Sequence, residues 1–315
     1  AYEDDLLLML RNSTVVDVAL KEGIGYEAVM GILDRRIAKG VNWKRIERLD
    51  LLGIDEIALK KGHQDFVTLV TGRRGNRTLL LAVLAGREKA TVKTFFQSIP
   101  ERLRKPLRVV CTDMYDGFVN AAKEVFSRHV KIVVDRFHVA KLYRAGLDGL
   151  RKTELKRLKK ELPEADYQPL KGAMWALRRR PDNRTPGDVE LLRRVFDHSP
   201  PLETAYYAAG ILTHIFDHAV SKRSARYRIR RWVDLVKASG LTCFDKFLNT
   251  LDKYLEEILN YFVNRDSSGF VEGVNNKVKV IKRRCYGIFN VGHLFQRIFL
   301  DLGNHHDLEN NGVFC

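Results

Sequence analysis

Three apolar runs follow one another directly near the start of the chain, and they constrain the fold more than any other feature. The runs Leu49 to Leu59, Phe66 to Thr71 and Thr78 to Ala85 are rich in leucine and β-branched residues, and turn residues separate them. Gly72 to Asn76 has the Gly and Asn residues of a hairpin loop. We predict three antiparallel strands. A doubly wound sheet is excluded, because parallel neighbours need a crossover after each strand.

After this meander, helical and strand patterns alternate. Thr91 to Ser98 is an amphipathic helix, and Leu107 to Thr112 is a fourth strand. Tyr115 to Phe126 is a second helix, and it leads to a fifth strand at Val130 to Val134. The order strand, strand, strand, helix, strand, helix, strand is that of a ribonuclease H-like sheet. We therefore predict an α/β fold with a mixed five-stranded sheet and helices.

Changes in periodicity and charge predict five segments along the chain. A helical stretch divides the sheet-forming region from two closing helices, so it is predicted to be an insertion into that fold. The predicted segments are a small helical domain (1–48), the first part of the sheet domain (49–139), a large α-helical insertion (140–264), the closing helices (265–302) and a tail (303–315).

The first segment has the pattern of a helix-turn-helix. Gly23 and Gly25 lie between two helical stretches, and the second helix is predicted over Tyr26 to Lys39. Its Arg35 and Arg36 are candidates for contacts in a DNA major groove. A small helical bundle that does not touch DNA gives the same pattern, so both interpretations stay open.

The charge of the chain favours a polyanionic partner. A net charge of +16 lies far from neutrality, and nucleic acid is the first candidate and an anionic membrane surface the second. No apolar run has the roughly 18 to 20 residues of a spanning helix. The first residues lack the features of a secretory signal, so a cytoplasmic, nucleoid-associated protein is expected. The scattered cysteines, Cys111, Cys243, Cys285 and Cys315, are predicted to be reduced and mostly buried.

Cationic runs in the predicted insertion point to the same partner. Arg151 to Lys160 and Lys222 to Arg231 are both rich in lysine and arginine, which favours contacts with a nucleic-acid backbone over a merely solvated helix face. Arg228, Arg230 and Arg231 are the candidate contacts in the second run. Trp175 and Trp232 are predicted to lie in the core.

One late helix combines a core stripe with an unusual polar face. Over residues 267–287, starting near Ser268, helical spacing puts Val271, Val274, Val278 and Ile281 on one stripe. The other stripe has one acid, Glu272, among amides and cations. An acid favoured by the helix dipole explains this simply. The alternative is a metal-binding carboxylate beside a phosphate-binding surface made of Asn275, Asn276, Lys279, Lys282 and Arg283.

Two further acids have positions that support the metal interpretation. Asp55 lies inside the first predicted strand, and Asp113 ends the fourth. In a sheet of this order these strands are neighbours, so the two carboxylates are expected to face each other. Their repulsion calls for a bridging Mg²⁺ or Mn²⁺. With Glu272 as the third acid, such a site holds two metal ions per active site for phosphodiester chemistry.

Four segments together resemble the bacterial ISL3-family insertion-sequence transposases. They are Gly53-Ile54-Asp55-Glu56, Cys111-Thr112-Asp113-Met114, Asp135-Arg136-Phe137-His138-Val139, and Glu272 to Lys277 continued by Lys282-Arg283. The resemblance covers about residues 10 to 302. It implies a DDE core with Asp55, Asp113 and Glu272 as catalytic, metal-binding acids. It further implies an Asp-x-x-His signature at Asp135 and His138, expected to orient a ligand or position DNA close to Asp113.

The resemblance also implies partners and a reaction. The expected substrates are double-stranded terminal inverted repeats and target DNA, and the expected assembly is a homodimer or a larger synaptic complex. Members of this kind carry a cysteine-rich zinc-binding segment ahead of the helix-turn-helix, and the present sequence does not include one. A nuclease or resolvase with the same core, and a DNA-binding protein without catalysis, are the alternatives.

Overall fold

The computed structural model describes residues 2–60, 64–75, 77–218, 221–267 and 269–302. The chain divides into two compact units, Ala1–Val133 with Asp266–Cys315, and Val134–Arg265. The first unit is therefore built from two separate stretches of sequence. Of the predicted features, Ser268, Asn76, Cys315 and the 303–315 tail lie outside the described residues.

A five-stranded mixed sheet is present, as predicted. Its strands are β1 (Leu51–Lys60), β2 (Gln64–Arg74), β3 (Arg77–Ala85), β4 (Val109–Thr112) and β5 (Lys131–Val134). They lie in the order β3-β2-β1-β4-β5. β1 and β2 pair antiparallel, as do β2 and β3, whereas β1 and β4 pair parallel. The predicted meander and the predicted contact between the first and fourth strands are both confirmed.

The helices of the first unit come from both of its stretches of sequence. They are α1 (Tyr2–Leu10), α2 (Val15–Glu22), α3 (Tyr26–Arg36), α4 (Lys89–Ser98), α5 (Glu101–Arg104), α6 (Asp116–Val125), α15 (Gly269–Arg284) and α16 (Val291–Leu302). α3 ends at Arg36, before the predicted end at Lys39, because the backbone of Ile37 turns extended and caps the helix.

One face of the sheet packs against α15 and α16. Val274, Val278 and Ile281 of α15 are buried with Leu69 of β2 and Leu294 of α16 in a single cluster. The predicted core stripe of α15 is confirmed, since Val271 is buried as well. Its polar stripe needs a correction, because Asn275 is buried and not exposed with the other polar residues.

A buried polar network ties α16 and α15 to the loop between α1 and α2. Asp301 accepts hydrogen bonds from Arg284 of α15 and from the Asn12 amide. Arg297, only 2% exposed, donates to the carbonyl oxygens of Leu10 at 2.8 Å and Ser13 at 2.5 Å. The N-terminal helices are therefore fixed to the last two described helices by buried charges as well as by apolar packing.

Apart from Val134, the last residue of β5, the regular secondary structure of the second unit's described residues is helical. Its helices are α7 (Arg136–Glu161), α8 (Glu164–Tyr167), α9 (Ala173–Arg178), α10 (Pro186–His198), α11 (Pro200–Asp217), α12 (Lys222–Ala238), α13 (Asp245–Lys253) and α14 (Leu255–Asn264). Pro186 and Pro200 occupy first-turn positions, where a missing N–H costs nothing. None of the described helices of either unit is long and apolar enough to cross a membrane.

The two tryptophans singled out in the sequence behave differently. Trp232 is 2% exposed, and its indole N–H donates to the carbonyl of Ala208 at 2.7 Å. Trp175 is 64% exposed, so its predicted core position is wrong. It lies on the short helix α9, which buries Ala173, Ala176 and Leu177 instead and turns the indole outward.

Candidate active site

Asp55 and Asp113 are placed together by the parallel pairing of β1 with β4. The register pairs Leu51 with Val109 and Gly53 with Cys111. The pairing ends there, and the same register continued by two residues would set Asp55 level with Asp113, which directly follows β4. Because side chains alternate between the faces of a strand, Asp55 lies on the face to which Gly53 belongs, and the same alternation continued past β4 would put Asp113 on that face.

Asp113 is held in an environment that disfavours its charge. Burial, followed by the negative charges of Asp55 and Glu56, raises the pKa of Asp113 from 3.8 to about 7. A hydrogen bond from the backbone of Tyr115 and the charge of Arg87 act in the opposite direction. The influence of Asp55 on this pKa shows that the two acids lie within electrostatic reach of each other.

The N-terminal turn of α15 packs directly on β1 beside this acid pair. A Cβ at Gly53 would lie 2.2 Å from Val271 Cγ2 and 2.7 Å from Phe270 Cζ. Glycine at this position therefore lets the helix approach the strand. Glu272 follows Val271 and is exposed, with no hydrogen bond or ion pair recorded among the described residues.

Asn275 lies one turn beyond Glu272 and connects the helix to the acid pair. Its side-chain N–H donates to Oδ2 of Asp55, while the backbone N–H of Glu56 donates to Oδ1 of Asp55 at 2.8 Å. Both carboxylate oxygens of Asp55 are thus oriented by neighbours. Glu272 and Asn275 are three residues apart on one helix, so they share a face.

The arrangement fits a divalent cation, although the described residues contain no cluster of three His, Cys, Asp or Glu side chains able to hold a metal. Asp113 Oδ1 and Asn275 Oδ1 are buried oxygen atoms without a hydrogen-bond partner among those residues. Orphaned acceptors of this kind are costly unless a cation or a water satisfies them. Oxygen donors are those that Mg²⁺ and Mn²⁺ prefer.

Comparison with known proteins identifies the group to which this site belongs. The ISL3 family model, described as a transposase, matches residues 52–298, which is well over half of the chain. The chain belongs to the ISL3 family of transposases. The family resemblance expected from the sequence motifs is confirmed, and the matched region includes Asp55, Asp113 and Glu272.

Two curated relatives of this ISL3-family chain are transposases of named insertion sequences. The transposase of IS1001 from Bordetella parapertussis is 28% identical over 291 residues, which is 92% of this chain and 70% of that protein. The transposase of IS1557 from Mycobacterium tuberculosis is 24% identical over 284 residues, which is 83% of this chain and 63% of that protein. Both relatives extend well beyond the stretch that aligns with this chain.

Asp135 and His138 belong to the second unit of this ISL3-family chain. Asp135 is the N-cap of α7, where its carboxylate accepts a hydrogen bond from the Phe137 amide at 2.7 Å. His138 is half-buried in the first turn of α7. Its ring packs edge-on against the Phe137 ring, with 5.9 Å between the ring centres. These contacts give Asp135 a structural role, and its predicted role beside the acids stays a prediction.

The candidate DNA-contacting residues of α15 fall into two groups. Asn276, Lys279 and Arg283 are exposed and available to a duplex. Lys282 is half-buried, its ammonium donates to the carbonyl of Ala58 at 2.5 Å, and burial lowers its pKa. Lys282 thus supports the packing of α15 on β1, in addition to its predicted contact with DNA.

The candidates outside α15 also differ in their surroundings. Arg35, 62% exposed, forms an ion pair with Glu3 at 2.7 Å. Arg36 is 19% exposed and pairs with Glu3 at 3.2 Å and with Asp4. On α12, the exposed candidates are Arg228, Arg230 and Arg231. The arginines of α12 are therefore more available for contacts with phosphates than the arginines of α3, which are paired with acids.

Arg87 is a charged neighbour of the acid pair that the sequence motifs did not reveal, and its partner Glu56 alternates with Asp55 along β1 and so points to the opposite face of the sheet. Arg87 pairs with Glu56 at 2.9 Å, and its charge acts on Asp113. A single arginine between a strand and a helix carries no periodic or motif signal.

Proposed function

We propose that this chain is the core of a DDE transposase, which cleaves DNA at the ends of an insertion sequence and joins them to target DNA. We further propose that its sheet is a ribonuclease H-like core. The strand order β3-β2-β1-β4-β5 with a parallel β1–β4 pair supports that assignment. The family membership and the names of both relatives support transposition as the reaction.

The observation that carries the proposal is the coupling between Asp55 and Asp113. Two acids level on adjacent strands, one of them with a buried oxygen lacking a partner, form an arrangement that costs stability unless a cation is bound. Sites that lower stability in this way are commonly functional. Glu272 is proposed as the third acid because the two residues before it, Phe270 and Val271, pack on β1 at Gly53.

Asp55, Asp113 and Glu272 are the residues that would hold two Mg²⁺ or Mn²⁺ ions. When bound, such ions activate the attacking water or hydroxyl and stabilise the leaving oxygen of a phosphodiester. Asn275 keeps the Asp55 carboxylate in one orientation. Glu56 has its charge matched by Arg87, which leaves Asp55 and Asp113 as the acids available to metal on the two strands.

The cationic surfaces would hold the DNA. Lys279 and Arg283 continue the exposed face of α15 away from Glu272, and α12 presents Arg228 and Arg230. Phosphate contacts of this kind position a duplex without reading its sequence. A helix-turn-helix role for α2 and α3, recognition of terminal repeats, and a homodimeric or larger synaptic assembly complete the proposal.

The test combines acid substitutions with two DNA assays. Asp55→Ala, Asp113→Ala and Glu272→Ala should each abolish Mg²⁺-dependent cleavage of insertion-sequence ends. They should leave DNA binding largely intact, because the cationic surface is unchanged. Full cleavage by the Glu272 variant would remove that residue from the site. Cleavage without joining of ends to a target plasmid would indicate the alternative, a nuclease or resolvase.

A further inference from the structure

A cavity of about 880 Å³ lies in the first unit, between α2 and α3 on one side and the connection from α15 to α16 on the other. Its volume falls inside the range of roughly 300–1,000 Å³ that is typical of ligand pockets. Neither Asp55 nor Asp113 lines it, so it is separate from the acid pair. The last turn of α15 and the first half of α16 complete its wall.

Three exposed aromatic side chains line this cavity. Tyr26 belongs to α3, and Tyr286 and Phe289 belong to the connection between α15 and α16. Tyr286 is 97% exposed and Phe289 is 59% exposed. Apolar surface that stays in contact with water in this way is characteristic of a binding site. Flat ligands such as DNA bases stack on aromatic rings of this kind.

The connection that carries Tyr286 is held in shape by hydrogen bonds at both ends. The Gly287 amide donates to the carbonyl of Lys282 at 2.9 Å, and the His293 amide donates to Oδ1 of Asn290 at 2.9 Å. Tyr286 itself has φ +52°, in the left-handed region that favours glycine. An unfavourable backbone conformation that presents an exposed side chain is a common feature of ligand sites.

The cavity wall carries an excess of positive charge. Arg283 is exposed, and no hydrogen bond or ion pair is recorded for it among the described residues. Arg284 is paired with Asp301, whereas Nε and Nη1 of Arg297 are buried without a hydrogen-bond partner in the described part of the chain. Asp17, the acid of the lining, is engaged in the capping box of α2. The wall therefore favours an anionic ligand.

The cavity lies at the end of the proposed phosphate-binding face of α15. Glu272, Asn276, Lys279 and Arg283 follow one another at helical spacing, and Arg283 also lines the cavity. A rise of 1.5 Å per residue puts Arg283 roughly 16 Å from Glu272 along the helix axis. That distance is about five nucleotides of one DNA strand, at ~3.4 Å per phosphate. A strand that follows this face therefore reaches the cavity a few nucleotides from the candidate acids.

We propose that this cavity binds an unpaired nucleotide of the substrate DNA, whose base stacks on Tyr286 and Phe289 and whose phosphate is bound by Arg283. This inference rests on the proposed function and adds a second contact with the same DNA. A paired base is covered on both faces by its neighbours in the duplex, so the nucleotide must leave the stack before it can enter. Aromatic rings beside cations are the combination that binds single strands.

The first experiment compares DNA affinities in EDTA, so it does not depend on cleavage. The probes are a blunt duplex carrying an insertion-sequence end, the same duplex with a short unpaired thymidine tail, and the same duplex with a single bulged thymidine. The protein should bind the tailed or the bulged duplex roughly 5- to 100-fold more tightly than the blunt one, which is the effect of one stacked base. A preference for the tail places the nucleotide at a strand end, and a preference for the bulge places it inside the duplex. An abasic nucleotide at the same position should give no gain.

Aromatic substitutions test whether this preference comes from the cavity. Tyr286→Ala combined with Phe289→Ala should remove the preference, while affinity for the blunt duplex and the melting temperature stay close to those of the wild type, because both side chains are exposed. Tyr286→Trp should keep it. The control is Trp175→Ala, which removes an exposed aromatic ring of the second unit and should also keep it. Equal affinity of the wild type for all three duplexes would overturn the inference, whereas no binding to any duplex would refute the proposed function.

The second experiment locates the bound base. 5-Iododeoxyuridine is placed at the preferred unpaired position, and ultraviolet irradiation cross-links it to the aromatic side chains in contact with it. Mass spectrometry of the digested complex should identify Tyr286 or Phe289. Cross-links found only outside the cavity would overturn the inference. It would also be overturned if the double alanine variant kept its preference for unpaired DNA but changed its subunit number in sedimentation, because this surface would then be a protein interface.

Discussion

The side-chain amide of Asn275 donates a hydrogen bond to Oδ2 of Asp55, which joins the helix carrying one candidate acid to the strand carrying another. Neighbours that orient a metal ligand typically change activity by 10- to 100-fold when removed. Asn275→Ala should therefore slow Mg²⁺-dependent cleavage by roughly that factor while DNA affinity changes little. Asn120→Ala, at an exposed position of α6, is the control. Equal rates for the two variants in a single-turnover assay would contradict the orienting role.

Gly53 should not tolerate a side chain. A Cβ there would overlap Val271 of α15 and lie 2.9 Å from Thr71 Oγ1, so Gly53→Ala should lower the free energy of unfolding by about 1–3 kcal/mol. It should also slow cleavage, because it displaces the turn that carries Glu272. Gly273→Ala, where no atom lies within 4 Å, should instead stabilise α15 by about 0.5–1 kcal/mol. Urea denaturation of both variants measures whether the free energy of unfolding falls for Gly53→Ala and rises for Gly273→Ala.

Lys279 and Arg283 should contribute phosphate contacts without sequence preference. Replacing both with alanine should weaken binding to cognate and random duplexes alike, and flatten the slope of log affinity against log salt by about two contacts. The control is Arg193→Ala with Arg194→Ala, which removes the same charge from side chains already paired with Glu190. A double variant that loses only its preference for insertion-sequence ends, at an unchanged slope, would show that α15 reads bases.

Asp148 should make the second unit sensitive to acid. Burial acts to raise the pKa of Asp148, but hydrogen bonds from Arg151 and Lys152 outweigh it and hold that pKa at about 2, below its ordinary 3.8. A lowered folded-state pKa gives stability that is present above about pH 4 and lost as the pH falls towards 2. Asp148→Asn should therefore cost up to roughly 2 kcal/mol at pH 5, and less at pH 3.

Urea unfolding of the Asp148 variant at these two pH values is compared with that of Asp182→Asn. Asp182 is an exposed carboxylate for which no ion pair is recorded in the described part of the chain. Its replacement should leave the pH dependence of the unfolding free energy as it is in the wild type. If the free energy of unfolding of Asp148→Asn differs from that of the wild type by the same amount at both pH values, the stabilising contacts of Asp148 with arginine and lysine do not depend on the charge of its carboxylate.

Local patterns were sufficient to predict the sheet. The apolar runs and the turn residues between them gave the strand order, and that order gave the contact between β1 and β4. The core stripe of α15 was equally visible, since helical spacing alone groups Val271 with Val274 and Val278. Positions on neighbouring predicted strands and the family motifs then selected Asp55, Asp113 and Glu272 as candidate acids, and this choice stays a prediction.

Contacts between distant segments were not predictable in the same way. Asn275 fell on the polar side of α15 by spacing, but β1 covers the edge of that side and buries it. Trp175 looked like a core residue by type, and only the shortness of α9 turns it outward. The side chain of Arg87 contacts residues of β1, β2 and the turn after β4. The residues next to Arg87 in the sequence therefore do not predict these contacts.

The discontinuous first unit also sets an order of events during synthesis. Leu300 of α16 completes the core of the N-terminal helices, and α15 completes the core against the sheet. The ribosome makes the whole second unit, Val134–Arg265, before either helix, and at roughly 5–20 residues per second this delay is on the order of ten seconds. The second unit can close its own core within that time. A nascent chain therefore holds Asp55 and Asp113 without the helix that carries Glu272 and Asn275, and its candidate active site is assembled only when translation of α15 is finished.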